Sequence, residues 1–375
     1  MAGLYIHIPF CGSRCIYCGF YSTTALGLRQ RYVDALCREM VMRHPESTTI
    51  STIYLGGGTP SQLTIPQLRQ LFDSIYKYNK VDTDAEITIE CNPDDVTEAF
   101  VEGLRNLPVN RISMGAQTFD DTRLRFLRRR HTASQVTMAV ERLRKAGYEN
   151  ISIDLMYGLP EETVKDWEAD ITQVLSLDVE HLSAYCLMIE EDTPLHLKLL
   201  DGEITETDEE QERQMYDILI DRLEAAGYEH YELSNFARKG FRSRHNSAYW
   251  NGTPYIGIGA AAHSYDIRTR SWNISDLHQY INGIEHEERL FEEELLDEDT
   301  RYNDAITVAL RTSDGLDLTT LSEKHRSYCL QNARRFIDDG LLESITPAGA
   351  DNPHAIRLTR RGLFVSDMIM SELIF

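Results

Sequence analysis

The sequence predicts an α/β fold, a partial (β/α)6 TIM-like barrel followed by a smaller C-terminal module of helical, winged-helix-like character. Three observations predict it. Up to about residue 230, short β-branched runs alternate with longer amphipathic stretches, the βα rhythm of a parallel sheet. Six such units are found, fewer than a closed eight-stranded barrel needs. Beyond about residue 230 the rhythm breaks into a Gly- and aromatic-rich segment, an acidic stretch and a short helical tail.

The strand candidates, in order, are Leu4–Ile8, Thr52–Leu55, Glu86–Glu90, Arg111–Gly115, Ile151–Leu155 and His181–Leu187. Helices are expected over Gln30–Arg43, Ile65–Tyr78, Ala133–Gly147, Thr163–Leu177 and Asp208–Gly227, several with Gly at or just beyond the end, where it relieves left-handed strain. The expected division is a core at 1–230, a connecting segment at 231–299 and the C-terminal module at 300–375, with short strands near Leu341–Ser344 and Ile356–Leu358.

The 375 residues are 42% hydrophobic and 26% charged, the balance of a packed globular chain. A net charge of -22 and a pI near 4.9 argue against nucleic acid as a main partner and limit any membrane contact to a peripheral one. The acidic runs Asp201–Glu212 and Glu285–Asp299 read as solvated faces. No signal peptide and no run of about 18 apolar residues is found, so a cytoplasmic location is expected.

Cys11, Cys15 and Cys18 form C-x3-C-x2-C in the loop after the first strand, at the face where parallel α/β folds bind ligands. Three thiolates suit a [4Fe-4S] cubane with one iron left open to a ligand. A structural zinc site with His7 is the alternative, but zinc sites usually carry a second cysteine pair, whereas Cys37, Cys91, Cys186 and Cys329 are scattered singly.

Gly56-Gly57-Gly58-Thr59 follows the second strand, where backbone without side chains can approach a ligand. Glu90, Gln117 and Asp154 each end a hydrophobic strand. A carboxylate ligand calls for the guanidinium fork, and Arg123, Arg125, Arg128, Arg129 and Arg130 all offer one. His245-Asn246-x-x-Tyr249-Trp250 lies in the aromatic segment, with His263 not far beyond. A histidine there is either packed in the interior or an axial ligand to haem iron, with the aromatics lying against the porphyrin; chemistry alone leaves both open.

Tyr5-Ile-His7-Ile-Pro-Phe-Cys11-x3-Cys15-x2-Cys18 resembles the opening of the radical S-adenosylmethionine (SAM) family, in its oxygen-independent coproporphyrinogen oxidase-like branch. The resemblance implies a [4Fe-4S] cluster on the three cysteines and a SAM site. Gly57, Gly58, Thr59 and Glu90 would lie at the methionine amino group, Gln117 and Asp154 at the ribose, Arg129 at the carboxylate, and Tyr5 and Tyr17 beside SAM.

The motif His245-Asn246-x-x-Tyr249-Trp250, with Tyr231–Ala237 and Arg357–Gly362, is similar to the family's haem-chaperone members. This likeness implies haem binding at those four motif residues and delivery to haem-accepting proteins, respiratory ones among them, and it is compatible with a dimer. The alternative is a coproporphyrinogen III oxidase. Those enzymes have C-x3-C-x2-C-x-C and a longer N-terminal arm; here Phe20 stands in place of the last cysteine and only ten residues precede Cys11.

Overall fold

In the computed structural model, which describes residues 1–43, 48–346 and 353–375, the expected βα rhythm is realised. The parallel strands are β1 (Ala2–Ile8), β2 (Thr49–Gly57), β3 (Lys80–Cys91), β4 (Arg111–Gln117), β5 (Ile151–Tyr157) and β6 (His181–Cys186). They are neighbours in chain order, as sequential strands usually are. Between and after them run α1 (Arg29–Met42), α2 (Ile65–Tyr78), α3 (Glu98–Leu104), α4 (Asp121–Phe126), α5 (Ala133–Lys145), α6 (Val164–Ser176), α7 (Pro194–Leu200) and α8 (Glu209–Ala225). Local chemistry fixes the helix starts. Thr64 and Thr163 each form a capping box with the residue three positions on.

The segment expected as a connector continues the sheet. It contains β7 (Glu229–Glu232), β8 (Asn235–Ala237), α9 (Arg244–Trp250), β9 (Tyr255–Ile258), β10 (His263–Tyr265), β11 (Thr269–Asn273), α10 (Leu277–Glu285) and β12 (Phe291–Leu295). The result is one 12-stranded sheet in the order β12-β11-β10-β9-β1-β2-β3-β4-β5-β6-β8-β7. β9 runs parallel to β1, while β8 is antiparallel to β6. These strands are three to five residues long with little alternation, which is why periodicity alone does not announce them.

Leu4, Ile53, Leu55, Ile89, Ile112, Ile153 and Leu182 are fully or almost fully buried, in one core with Leu36, Leu71, Val140, Trp167 and Leu219 of the helices. A second core is built by α11 (Glu298–Ala309), β13 (Leu316–Asp317), α12 (Glu323–Asp338), β14 (Leu342–Ile345), β15 (Ala355–Leu358), α13 (Arg360–Leu363) and α14 (Ser366–Leu373). There Ile306, Cys329, Phe336 and Ile369 pack together, and the strands form a separate sheet in the order β13-β15-β14. Helix, strand, helix and hairpin follow in winged-helix order. Among the described residues, no helix is long and apolar enough to cross a membrane.

Candidate functional site

The strands of the barrel carry a second, polar face. Thr52 and Tyr54 on β2, Glu86, Thr88 and Glu90 on β3, Arg111 and Ser113 on β4, Ser152 and Asp154 on β5, and His181 and Ser183 on β6 alternate with the apolar residues that meet the helices. Contacts across strands show that they face one interior. The Tyr54 hydroxyl donates to Glu90 at 2.7 Å, Ser113 to Asp154 at 3.5 Å, and Ser152 lies 2.7 Å from His181 Nδ1.

The cysteine loop crosses the C-terminal end of this interior. Cys11, Cys15 and Cys18 are free, half-buried thiols. Cys11 Sγ lies 3.6 Å from Thr59 Oγ1, which accepts from Asn92 at 3.2 Å. Asn92 Oδ1 accepts from Arg129 at 2.7 Å, and Arg129 Nη1 reaches Cys15 Sγ at 3.5 Å. Two of the three thiols are thus fastened to the glycine loop and to β4 through one chain of polar contacts. Burial and the neighbouring thiols push Cys11 and Cys18 up. A bound metal would hold such thiols deprotonated. Tyr17 is half-buried beside Cys15 and Arg129.

Backbone geometry separates the five arginines. Arg128 adopts φ 58°, closing α4 with a left-handed residue, and so turns Arg129 back over the barrel, where it also donates to the Gly115 carbonyl at 2.6 Å. Arg123 pairs with Asp166, Arg130 pairs with Asp94 and Asp95, and Arg125 bonds to Thr122. Arg129 is therefore the one turned inward, and its buried Nε has no partner.

Glu90 and Asp154 have no ion-pair partner among the described residues. Glu90 accepts from Tyr54 and, at 3.1 Å, from the Gly57 amide; burial pushes it up to about 7. Asp154 is likewise raised by burial and opposed by Ser183 and Arg111. An interior carboxylate with no cation in direct contact is suited to an incoming ammonium or hydroxyl donor. Gly57 sits at φ 112°, and a Cβ there would lie 2.5 Å from the His7 ring, so the loop beneath Glu90 admits only glycine. Gln117 takes φ 69° at a register shift that ends β4. Such strain on a non-glycine residue marks it as a position of interest.

Tyr5 lies in the same interior, 3.0 Å from His7 Nδ1 and stacked 6.2 Å from Tyr54. The structure thus brings Tyr5, Tyr17, Gly57, Gly58, Thr59, Glu90, Gln117, Arg129 and Asp154 around the barrel mouth and its upper interior.

The His245-Asn246-x-x-Tyr249-Trp250 motif lies elsewhere. His245 is 1% exposed and sits beside Gly3 and Thr52, at the strand starts and so at the opposite end from the cysteines. Its Nδ1 lies 2.8 Å from Thr52 Oγ1 and its Nε2 3.0 Å from the Tyr249 hydroxyl. Both nitrogens have hydrogen-bond partners and burial pushes the ring down to about 3, so of the two readings open from the sequence this geometry favours the packed, neutral imidazole at His245. Asn246 and Trp250 are partly exposed, and the Trp250 Nε1 is buried without a partner. His263 is exposed, its ring stacked 5.7 Å from Trp272.

Tyr54, Asn92, Arg111 and Ser183 belong to the site and are missing from the sequence reading. For two of them the signal is a spacing of two from a recognised residue, since Tyr54 precedes Gly56 and Asn92 follows Glu90 by that step; Arg111 and Ser183 carry no such signal.

The radical SAM superfamily profile matches residues 5–174. The heme chaperone HemW of Bacillus subtilis is 40% identical over 76% of this chain and 76% of that protein. HemW of Mycobacterium tuberculosis is 31% identical over 99% of this chain and 94% of its own. Among solved structures, coproporphyrinogen III oxidase (HemN) from Escherichia coli superposes with a TM-score of 0.83 at 24% identity, covering 100% of this chain and 90% of that one. The last is a likeness of fold.

Proposed function

We propose, from the premise that this chain belongs to the HemW family of radical SAM proteins, that it binds haem and passes it to acceptor proteins while holding a [4Fe-4S] cluster and SAM in its barrel. The observation that carries this reading is the 40% identity with a heme chaperone over 76% of both chains. Cys11, Cys15 and Cys18 hold the cluster.

The charge balance of the interior supports SAM as its ligand. Glu86, Glu90 and Asp154 oppose only Arg111 and Arg129, which leaves one excess negative charge. SAM, with sulfonium, ammonium and carboxylate groups, carries one net positive charge, the sign that this excess of acidic groups favours. Glu90 and the Gly57–Gly58 backbone receive the ammonium, Thr59 orients the glycine loop, Arg129 takes the carboxylate, and Gln117 and Asp154 bond the ribose hydroxyls. Tyr5 and Tyr17 exclude water beside them. When bound, the reduced cluster supplies the electron that splits SAM into methionine and a 5′-deoxyadenosyl radical.

Glu90 gives this reading a pH signature. Its carboxyl stands near 7 in the ligand-free chain, and only its ionised form attracts an ammonium. SAM binding is expected to weaken about tenfold per pH unit below 7. It should also fall as the ligand's amino group loses its proton, ordinarily at about 7.7 to 8.0. Equilibrium dialysis of anaerobic, reconstituted protein from pH 5.5 to 9 tests this. A flat profile overturns the assignment of Glu90.

For haem, the barrel mouth offers exposed apolar surface: Phe20 is 75% exposed, Met188 71% and Tyr185 44%. Phe20 follows the cysteine loop, and Tyr185 and Met188 lie at the end of β6, so all three project where the strands end. Aromatic and thioether side chains suit the flat apolar faces of a porphyrin. Exposed Arg14 on the same loop offers a cation for a propionate. Haem titration of a Phe20→Ser, Met188→Ser double variant should show at least about tenfold weaker binding than wild type. Unchanged affinity removes the rim from the haem site. Anaerobic formation of protoporphyrinogen from coproporphyrinogen III would overturn the chaperone reading in favour of the oxidase.

A further inference from the structure

The His245-Asn246-x-x-Tyr249-Trp250 helix, α9, is left without a task once its histidine is seen to be buried. Its placement supplies one. The backbone N–H groups of Arg244 and His245 donate to the two oxygens of Glu86 at 3.0 and 2.9 Å, which pins the start of the helix to β3. Ser243 caps the same end by accepting from the Asn246 amide at 3.3 Å. Thr52 and Tyr249 fix the imidazole at its two nitrogens. So held, the ring lies over Tyr54, with centroids 5.1 Å apart and planes 24° apart. Gly3 makes room for it, since a Cβ there would stand 3.2 Å from His245 Cε1. Tyr54 is 9% exposed, and its hydroxyl has a single acceptor, Glu90, at 2.7 Å.

We propose that α9 is the floor of the SAM site: His245 and Tyr249 are positioning residues that hold Tyr54, and Tyr54 presents the Glu90 carboxylate to the ammonium of SAM. The inference rests on the reading of Glu90 as the ammonium partner. It gives the motif a role at the barrel's interior in place of iron ligation. A phenol pinned by a stacked ring below and a carboxylate above has no free rotamer, so the carboxylate oxygen it holds is aimed before ligand arrives.

The groups that face Glu90 set the sign of the test. From β2 Tyr54 donates to it, and from the glycine loop Gly57 does so; from β4 Arg111 stabilises its charge; from β5 Asp154 opposes it; Tyr5 of β1 and Tyr249 of α9 are neutral beside it. Removing the Tyr54 donor therefore favours the protonated acid, which cannot pair with an ammonium.

The experiment compares SAM binding by wild type, Tyr54→Phe, His245→Phe and Tyr249→Phe across pH 5.5 to 9, using anaerobic reconstituted full-length protein, with haem titration and thermal unfolding of each. Tyr54→Phe is expected to bind SAM about tenfold or more weakly at pH 7, with the acidic midpoint displaced upward. His245→Phe and Tyr249→Phe should move the midpoint in the same direction by less, with haem affinity unchanged. A purely structural role would lower the unfolding temperature and leave the midpoint where it is. Unmoved midpoints in Tyr54→Phe and Tyr249→Phe, the two variants that only lose a hydroxyl, overturn the inference. Loss of haem affinity in His245→Phe with SAM binding intact overturns it in favour of the iron ligand. Failure of wild type to bind SAM overturns the reading of the site itself, and is distinguishable because it appears before any variant is made.

Discussion

Replacing Cys11, Cys15 or Cys18 with alanine is expected to take reconstituted protein from about four irons per chain to essentially none, because a cubane on three thiolates has no spare protein ligand. The other cysteines offer no substitute. Cys91 and Cys329 are buried, Cys37 lies along α1 against the Gln70 carbonyl at 3.9 Å, and the half-buried Cys186 has its Sγ turned toward Gly158 and Glu212. The loop around the three thiols is held independently of iron. The Cys11 amide donates to the Thr23 carbonyl at 2.9 Å, the Leu195 amide to the Ile16 carbonyl at 3.0 Å, and Ile16 packs with Leu127, Leu159 and Leu195. The alanine variants should therefore keep their fold, with circular dichroism and unfolding temperature close to wild type. They should lose the visible absorbance of the cluster and all formation of 5′-deoxyadenosine. A Cys37→Ala variant should keep both. Iron retained by any of the three alanine variants would contradict the assignment, as would zinc bound in place of iron.

Much of this site is legible in the sequence because catalytic geometry on a parallel sheet is tied to strand ends. Cys11, Gly57, Glu90, Gln117 and Asp154 each stand at or near the end of an apolar run, and the five strands they follow or end, β1 to β5, are marked in the sequence by such runs. The choice of Arg129 over its neighbours rests on a single left-handed residue, Arg128, whose backbone conformation no side-chain pattern announces. The buried polar interior is harder still. Thr52, Glu86, Arg111 and His181 alternate with apolar residues exactly as on a half-exposed strand, so their alternation reads as solvent contact when it is in fact the lining of a barrel. His245 shows the same difficulty. Its partners, Thr52 and Glu86, lie more than 150 residues away in the chain, and only their convergence separates a packed imidazole from a ligand.

Arg111 is the residue whose loss should most disturb the fold. It is 1% exposed, and its Nε has no hydrogen-bond partner. Glu90 and Asp154 are both stabilised as anions by it. An Arg111→Met variant keeps the volume but leaves those carboxylates uncompensated, and breaking such a buried charge set costs about 3 to 5 kcal/mol. The pH dependence distinguishes this from a packing defect. Glu90 binds its proton more tightly in the folded chain than in the unfolded one, up to about 7 against an ordinary value near 4.5, so its ionisation lowers stability as pH rises between those values. Without Arg111 the folded value rises further, and the window of lost stability widens upward. Urea unfolding should accordingly show the full deficit at pH 8 and a much smaller one at pH 4.5, where Glu90 in the folded variant and in folded wild type is protonated alike. An equal deficit at both pH values would mean that Arg111 serves the interior by shape, and that the charge balance offered for SAM does not hold.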